Sequence, residues 1–205
     1  RGLCNGFRLL RAFLRAFGHH LLPDACVVVR LGYQKGRLAQ ARRQMKWVSG
    51  MTVRILFVCL GNICRSPLAE GFFRHEAGLA GLEIEADSAG IRDWHEGNPP
   101  DKRSIKVAAA HGVDIAGQRS RPVVPEDFAR FTHIVAMDRS NLEALSAMAP
   151  TGCVARLSLL LDHAEGLAGQ DVADPWHGRA DAFERCRDEV LLGVRGLLRH
   201  IGGAN

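Results

Sequence analysis

Residues 52–58, TVRILFV, are a β-branched, apolar run suited to a buried parallel strand. A polar loop, CLGNICRS, follows at once, and Ser66-Pro67 then opens a helix. Ser66 is expected as its N-cap and Pro67 as its first residue, with the helix running to about Leu79. Further strands are expected at 82–87, 132–137 and 153–157, with a long loop at 90–100. Helices are expected at 101–111, stopped by Gly112, at 140–148, ended by Pro150, and at 180–201. Strands alternating with helices define an α/β class, a three-layer doubly wound fold with a central four-stranded parallel sheet and helices on both faces.

The remainder of the chain does not share this order. Residues 1–50 carry ten of the 27 Lys and Arg but one of the 22 Asp and Glu, a net charge of +9. Residues 51–205 hold the other seventeen basic and twenty-one acidic groups, a net of −4. The overall charge of +5 therefore belongs to the N-terminal quarter, and no nucleic-acid partner is expected of the domain. In RLLRAFLRAFGHHLL, Leu9, Leu10, Phe13, Leu14 and Phe17 share a helical face, with Arg8, Arg11 and Arg15 elsewhere. Those arginines break the pattern of a secretory leader. Residues 1–50 read as a basic extension, non-native or disordered to partly helical, and 51–205 as the domain. No apolar run reaches the ~18 residues that a spanning helix needs.

Six cysteines stand at 4, 26, 59, 64, 153 and 186. A chain this long and this rich in core residues has no need of a disulfide framework, so a reducing, cytoplasmic compartment is expected.

The chemistry is concentrated in the first loop. In α/β sheets ligands bind outside the carboxyl ends of strands, where a helix N-terminus attracts anions. Cys59 and Arg65 stand six residues apart with Leu60, Gly61, Asn62, Ile63 and Cys64 between them. Wrapped around an oxyanion, such a loop aims backbone N–H groups inward as a nest for phosphate. Gly61 permits a positive φ, and Asn62 tolerates a left-handed turn better than most residues. Arg65 offers a planar fork for two phosphate oxygens. Positive groups of this kind favour a thiolate, which is placed for in-line attack on a cradled phosphoryl group. No Gly-Lys-Ser/Thr follows, which disfavours nucleotide hydrolysis. A metal site at Cys59 and Cys64 lacks a second pair or a histidine cluster at matching spacing.

The run VCLGNICRSP (58–67) resembles the active-site signature of the low-molecular-weight protein tyrosine phosphatases. The resemblance continues through DSAG (87–90), GNPPD (97–101), EDFA (126–129), MDRSNL (137–142) and DPWHG (174–178), covering 52–201. It implies hydrolysis of phosphotyrosine, or of other aryl phosphate monoesters, through a phosphocysteine, with no metal or cofactor. By the same resemblance Cys59 is the nucleophile, Arg65 the phosphate-binding arginine and Asp174 the general acid. Asn62, Ser66 and Ser88 would hold the loop and help activate the thiol. Leu60, Trp94, Trp176 and His177 would form the mouth. Cys64 would resolve an oxidised Cys59 as a disulfide.

The chain also departs from the family pattern. Ile63 accompanies the tyrosine-phosphatase type, whereas Thr there marks phosphoarginine hydrolases. Trp176 and His177 stand where two tyrosines are common, and Tyr33 is the only tyrosine in the chain. Gln118 replaces a histidine that buttresses the loop in some members. His95, His111 and His133 read as surface or strand-end residues. Two alternatives are a thiol-based arsenate reductase, for which no close cysteine pair follows Cys64, and a phosphate-binding module that has lost catalysis.

Overall fold

The computed structural model describes residues 52–202. The extension expected at 1–50 lies outside the described residues. Strand β1 (Arg54–Cys59) leads through the loop into helix α1 (Arg65–Ala80). Then come β2 (Glu85–Gly90), α2 (Lys102–Ala110), a single turn α3 (Asp127–Arg130), β3 (His133–Ala136) and α4 (Arg139–Met148). Strand β4 (Arg156–Leu159), a 3₁₀ turn (Leu160–His163) and α5 (Ala180–Ile201) complete the order. The four strands are parallel in the order β2-β1-β3-β4, so β1 is central. The fold is the expected three-layer α/β arrangement.

Alternation along β1 feeds two cores. Ile55, Phe57 and Cys59 point to one face with Leu68, Phe72 and Phe73 of α1 and Val190, Val194 and Leu197 of α5. Leu56 and Val58 point to the other, with Ile134, Phe128, Phe131 and Leu145. Phe57 is fully buried, its ring centroid 5.4 Å from that of Phe73. Cutting Phe57 back to Ala would cost about 3–5 kcal/mol, transfer and cavity together. Rigid packing under β1 fixes where Cys59, its last residue, ends up.

Two strands are displaced from the sequence reading. β2 begins at Glu85 because Leu82 N–H turns back to Ala77 O (2.9 Å) and still belongs to the end of α1. The shift brings Ser88 into the ladder opposite Phe57. β4 begins at Arg156 because Cys153 N–H closes a turn on Pro150 O (3.0 Å). Helix α1 starts at Arg65, not after Ser66: Cys64 occupies the N-cap without a side-chain bond, and Ser66 spends its hydroxyl on the loop. α3 and the 3₁₀ turn were not anticipated, being too short to show a helical period.

Candidate active site

The loop between β1 and α1 is held by its carbonyls. Cys59 O accepts from Ile91 N–H (2.9 Å), Leu60 O from Arg92 N–H (2.9 Å) and Ile63 O from Asp101 N–H (2.7 Å). Gly61 O accepts from Ser120 Oγ (3.1 Å), and Cys64 O from Leu68 N–H (3.4 Å). Peptide N–H and C=O groups point in opposite directions, so pulling these carbonyls outward turns the N–H groups toward the loop's centre. That is the nest an anion requires, and it sits at the N-terminus of the 16-residue helix α1.

Of the two residues able to take a left-handed turn, Asn62 does so, with φ 53°, and Gly61 does not. Asn62 tolerates αL because its side chain is bonded in place. Its Nδ2 donates to Ser66 Oγ (2.9 Å) and Ser88 Oγ (3.0 Å), and its Oδ1 accepts from Arg121 N–H (3.0 Å). At Gly61 a Cβ would stand 3.0 Å from His95 Cδ2, so the His95 ring would have to give by a few tenths of an ångström.

Cys59 Sγ lies 3.1 Å from Ser66 Oγ and 3.3 Å from Asn62 N–H. Ser66 Oγ also accepts from Asn62 Nδ2 and stands 3.3 Å from Ala89 O, and either Cys59 Sγ or Ser66 Oγ can be the donor between the two. Below it Ser88 Oγ donates to Glu70 Oε2 (2.7 Å), and burial pushes the Glu70 carboxyl up despite that bond and the Arg74 pair. A network of this size is worth roughly 1 kcal/mol per bond, and each member left unpaired would cost about 1–3 kcal/mol.

Arg65 has only 4% of its side chain exposed. Its Nη1 donates to Asp138 Oδ2 (2.5 Å) and Val172 O (3.2 Å), and its Nη2 to Asp174 Oδ2 (2.7 Å). Burial works against the charge, but Cys59, Asp174 and Asp138 outweigh it and hold the guanidinium above its ordinary value. Asp138, the N-cap of α4, resists burial through Ser140, Asn141 N–H and Arg65, and its carboxyl lies below the ordinary range. Burial, and then the neighbouring Cys59, push the Cys64 thiol up to about 12.

These groups open on a cavity of about 330 Å³. Cys59, Leu60, Gly61, Ile63, Cys64 and Arg65 form its floor, and Trp94, His95, Asp174, Trp176 and His177 its walls. All the residues expected at the mouth therefore line it. His95, read as a surface residue, lines it too, its ring 5.8 Å from that of Trp176. His133 does stand at a strand end, and exposed His111 bonds Val107 O. Gln118 Nε2 reaches Pro67 O in the first turn of α1 (3.3 Å), and its Oε1 is buried without a partner among the described residues. Asp138, Glu70, Ser120 and Arg121 were missed. MDRSNL held the signal for Asp138, an acid three residues before Asn141 at a helix start. Among the described residues no three His, Cys, Asp or Glu side chains cluster as a metal centre would require.

A cysteine at the end of a central parallel strand, a carbonyl-out loop and a buried arginine at the next helix together define a cysteine-and-arginine phosphate loop. The sequence matches the family described as low molecular weight phosphotyrosine protein phosphatase over residues 54–204. The chain belongs to that family. It is 44% identical over 154 residues to a low molecular weight protein-tyrosine-phosphatase of Streptomyces coelicolor, 72% of this chain and 93% of the relative. It is 40% identical over 151 residues to YfkJ of Bacillus subtilis, 73% and 96% of the two chains. The crystal structure of YfkJ superposes with a TM-score of 0.69, covering 75% of this chain and 96% of that one. A Drosophila arginine phosphatase superposes with a TM-score of 0.69 at 31% identity, covering 72% of this chain and 97% of that one.

Proposed function

We propose that this chain is a cysteine-dependent protein tyrosine phosphatase that hydrolyses phosphotyrosine, or other aryl phosphate monoesters, through a phosphocysteine. The observation that carries the reading is the meeting of Cys59, Arg65 and Asp174 in one cavity, over a loop whose carbonyls are drawn outward. In the first step Cys59 Sγ attacks phosphorus from below while the aryl C–O–P linkage breaks at the P–O bond. Asp174, with 45% of its side chain exposed at the cavity wall, gives its proton to the departing phenolate oxygen. Arg65 is held on Asp138 through Nη1, so Nη2 can exchange Asp174 for a phosphoryl oxygen. That exchange also frees the carboxyl for the proton transfer. In the second step Asp174 takes a proton from water, the water oxygen attacks phosphorus, and the S–P bond breaks to release phosphate and the Cys59 thiolate. Ser66 Oγ stabilises sulfur as nucleophile and as leaving group alike.

The walls favour an aryl group. Trp94 and Trp176 are large exposed hydrophobics, and a phenyl ring between them gains face contacts. Tyrosine phosphorylation of the wall is not open to this chain, since Trp176 and His177 stand there. Arsenate reduction is the weaker reading, and a binding-only module would not need both Cys59 and Asp174. A reducing cytoplasmic setting fits the need for a free thiol; no helix among the described residues is long and apolar enough to cross a membrane.

Turnover of phosphotyrosine peptide and of p-nitrophenyl phosphate tests the reading. Cys59→Ser should bind phosphate and lose turnover altogether, and a chelator should leave the wild type unchanged. Residual activity in Cys59→Ser, or arsenate-dependent thiol oxidation in place of hydrolysis, would overturn it.

A further inference from the structure

Asp174 sits on an exposed segment, and one side chain outside the cavity ties that segment to the phosphate loop. Asp101 donates its N–H to Ile63 O of the loop (2.7 Å) and N-caps α2 by accepting from Arg103 N–H (2.8 Å). Its carboxylate is bound by Arg103 through Nε (2.9 Å) and Nη2 (3.0 Å). The remaining arm, Nη1, donates to Trp176 O (3.1 Å) and Gly178 O (3.3 Å), just after Asp174 in the chain. The guanidinium is stacked 4.3 Å from the Phe183 ring of α5 and 5.5 Å from the ring of Trp176. Asp174 is in turn fixed to the same turn, its Oδ1 accepting from Trp176 N–H (3.0 Å).

We infer that Arg103 is a positioning residue that sets the separation between the phosphate loop and Asp174, and with it the efficiency of proton transfer to the leaving group. The inference rests on the proposed function, in which Asp174 is the acid. Two bonds on the Asp101 side register the guanidinium to the loop, and two carbonyls on the other side register the acid segment to the guanidinium. Only a rigid, planar, multi-donor head can do both; a lysine ammonium has the charge without the fork. A displacement near 1 Å can cost on the order of 100-fold when it misplaces a reacting group. Such a loss should appear only where the proton matters.

The test compares phenyl phosphate, a poor leaving group, with p-nitrophenyl phosphate, a good one. Arg103→Lys and Arg103→Ala should lose on the order of 10–100-fold in kcat/KM on phenyl phosphate and much less on p-nitrophenyl phosphate. Competitive inhibition by inorganic phosphate should stay near wild type, because the loop itself is intact. In an Asp174→Asn background the Arg103→Lys loss on phenyl phosphate should vanish, since no proton is left to misplace. Equal losses on both substrates, or a loss that persists undiminished in the Asp174→Asn background, would overturn the inference. If Arg103→Ala does not fold, Arg103→Lys carries the same comparison. A leaving-group-independent loss in Asp174→Asn alone would instead overturn the acid assignment, and this inference with it.

Discussion

The phosphate loop and the segment bearing Asp174 face each other across one cavity and are held in opposite ways. Asn62, Cys64, Arg65 and Ser66 are buried, and the side chains of Asn62 and Ser66 are bonded to one another. On the far wall Asp174 and Trp176 are exposed, and the segment is held chiefly by Arg65, Arg103 and its own turn. The difference follows the chemistry each must do. A nest for phosphate must be organised before substrate arrives, because donors that reorient during reaction forfeit their electrostatic advantage. In the proposed mechanism Asp174 exchanges protons with leaving group and water, and its place at the solvent edge suits that role. The cost of a preorganised loop is a residue at positive φ and a buried guanidinium, both balanced by hydrogen bonds.

The largest effect expected from breaking this contrast is on the exposed side. Asp174→Asn should lose on the order of 10²–10⁴-fold on a phosphate monoester with a poor leaving group, and less on an activated one. Because the segment is exposed, its thermal midpoint should barely move. Equal losses across leaving groups would make Asp174 structural.

The buried side should answer differently. Asn62→Ala removes donors to Ser66 and Ser88 and leaves Arg121 N–H without its acceptor, at about 1–3 kcal/mol per group left unpaired. It also puts alanine at φ 53°, a position an L side chain adopts unwillingly. Thermal unfolding should fall clearly, and activity should fall alike on good and poor leaving groups. An unchanged midpoint would mean that the loop does not depend on this network.

The smallest effect sharpens the contrast between the two ends of the sheet. Away from the site, burial and then the nearby Arg156, His163 and His200 lower His133 from its ordinary 6.5. His163, 5.5 Å from His200 between ring centroids, is lowered by burial and then by His200, with Asp162 opposing. A base whose folded value is depressed binds protons more readily when unfolded. Its stabilisation is full above 6.5 and is lost as pH falls below that value. Asp138, an acid held below 3.8, keeps its contribution until pH falls beneath that value. Cys64, pushed from 9.0 to about 12, contributes fully below 9.0 and loses that contribution as pH rises toward 12. Glu70, which burial pushes above 4.5, works the other way, contributing fully below 4.5 and less as pH rises through its raised value. The histidines should therefore lower the thermal midpoint as pH falls below 6.5, and Cys64 should lower it as pH rises above 9.0. His163→Gln should flatten the acid limb between 6.5 and 5; an unchanged limb would contradict the assignment.

Much of this was legible in the chain, for identifiable reasons. TVRILFV suited a buried strand, which begins two residues in, at Arg54, and CLGNICRSP carried its loop and helix in contiguous sequence. Leu60, Trp176 and His177 stand in motifs at a strand end or a loop, and Trp94 reaches the cavity from the loop between DSAG and GNPPD. Ser66 misled as an N-cap because the same hydroxyl that caps helices also serves a buried thiol. Sequence alone did not say which of Gly61 and Asn62 takes the left-handed turn, because the choice rests on the bonds that Asn62 makes to Ser66, Ser88 and Arg121. Asp138, Ser120 and Arg121 reach the site from distant segments, and neither hydrophobic period nor local spacing encodes which donor meets which acceptor. The Asp101–Arg103 link was hidden in the same way: its four hydrogen bonds to Asp101, Trp176 and Gly178 are assembled only by the fold.

The proposed mechanism requires a covalent bond between Cys59 and phosphorus. Rapid acid quenching during turnover of a phosphotyrosine peptide, followed by mass spectrometry of the digested protein, reads that bond directly. One phosphoryl group is expected on the peptide carrying Cys59, absent in Cys59→Ser. More of that adduct is expected when Asp174→Asn turns over p-nitrophenyl phosphate, because the water-activating carboxylate is gone. A phosphoryl group on another residue, or wild-type turnover with no adduct at Cys59, would contradict the mechanism.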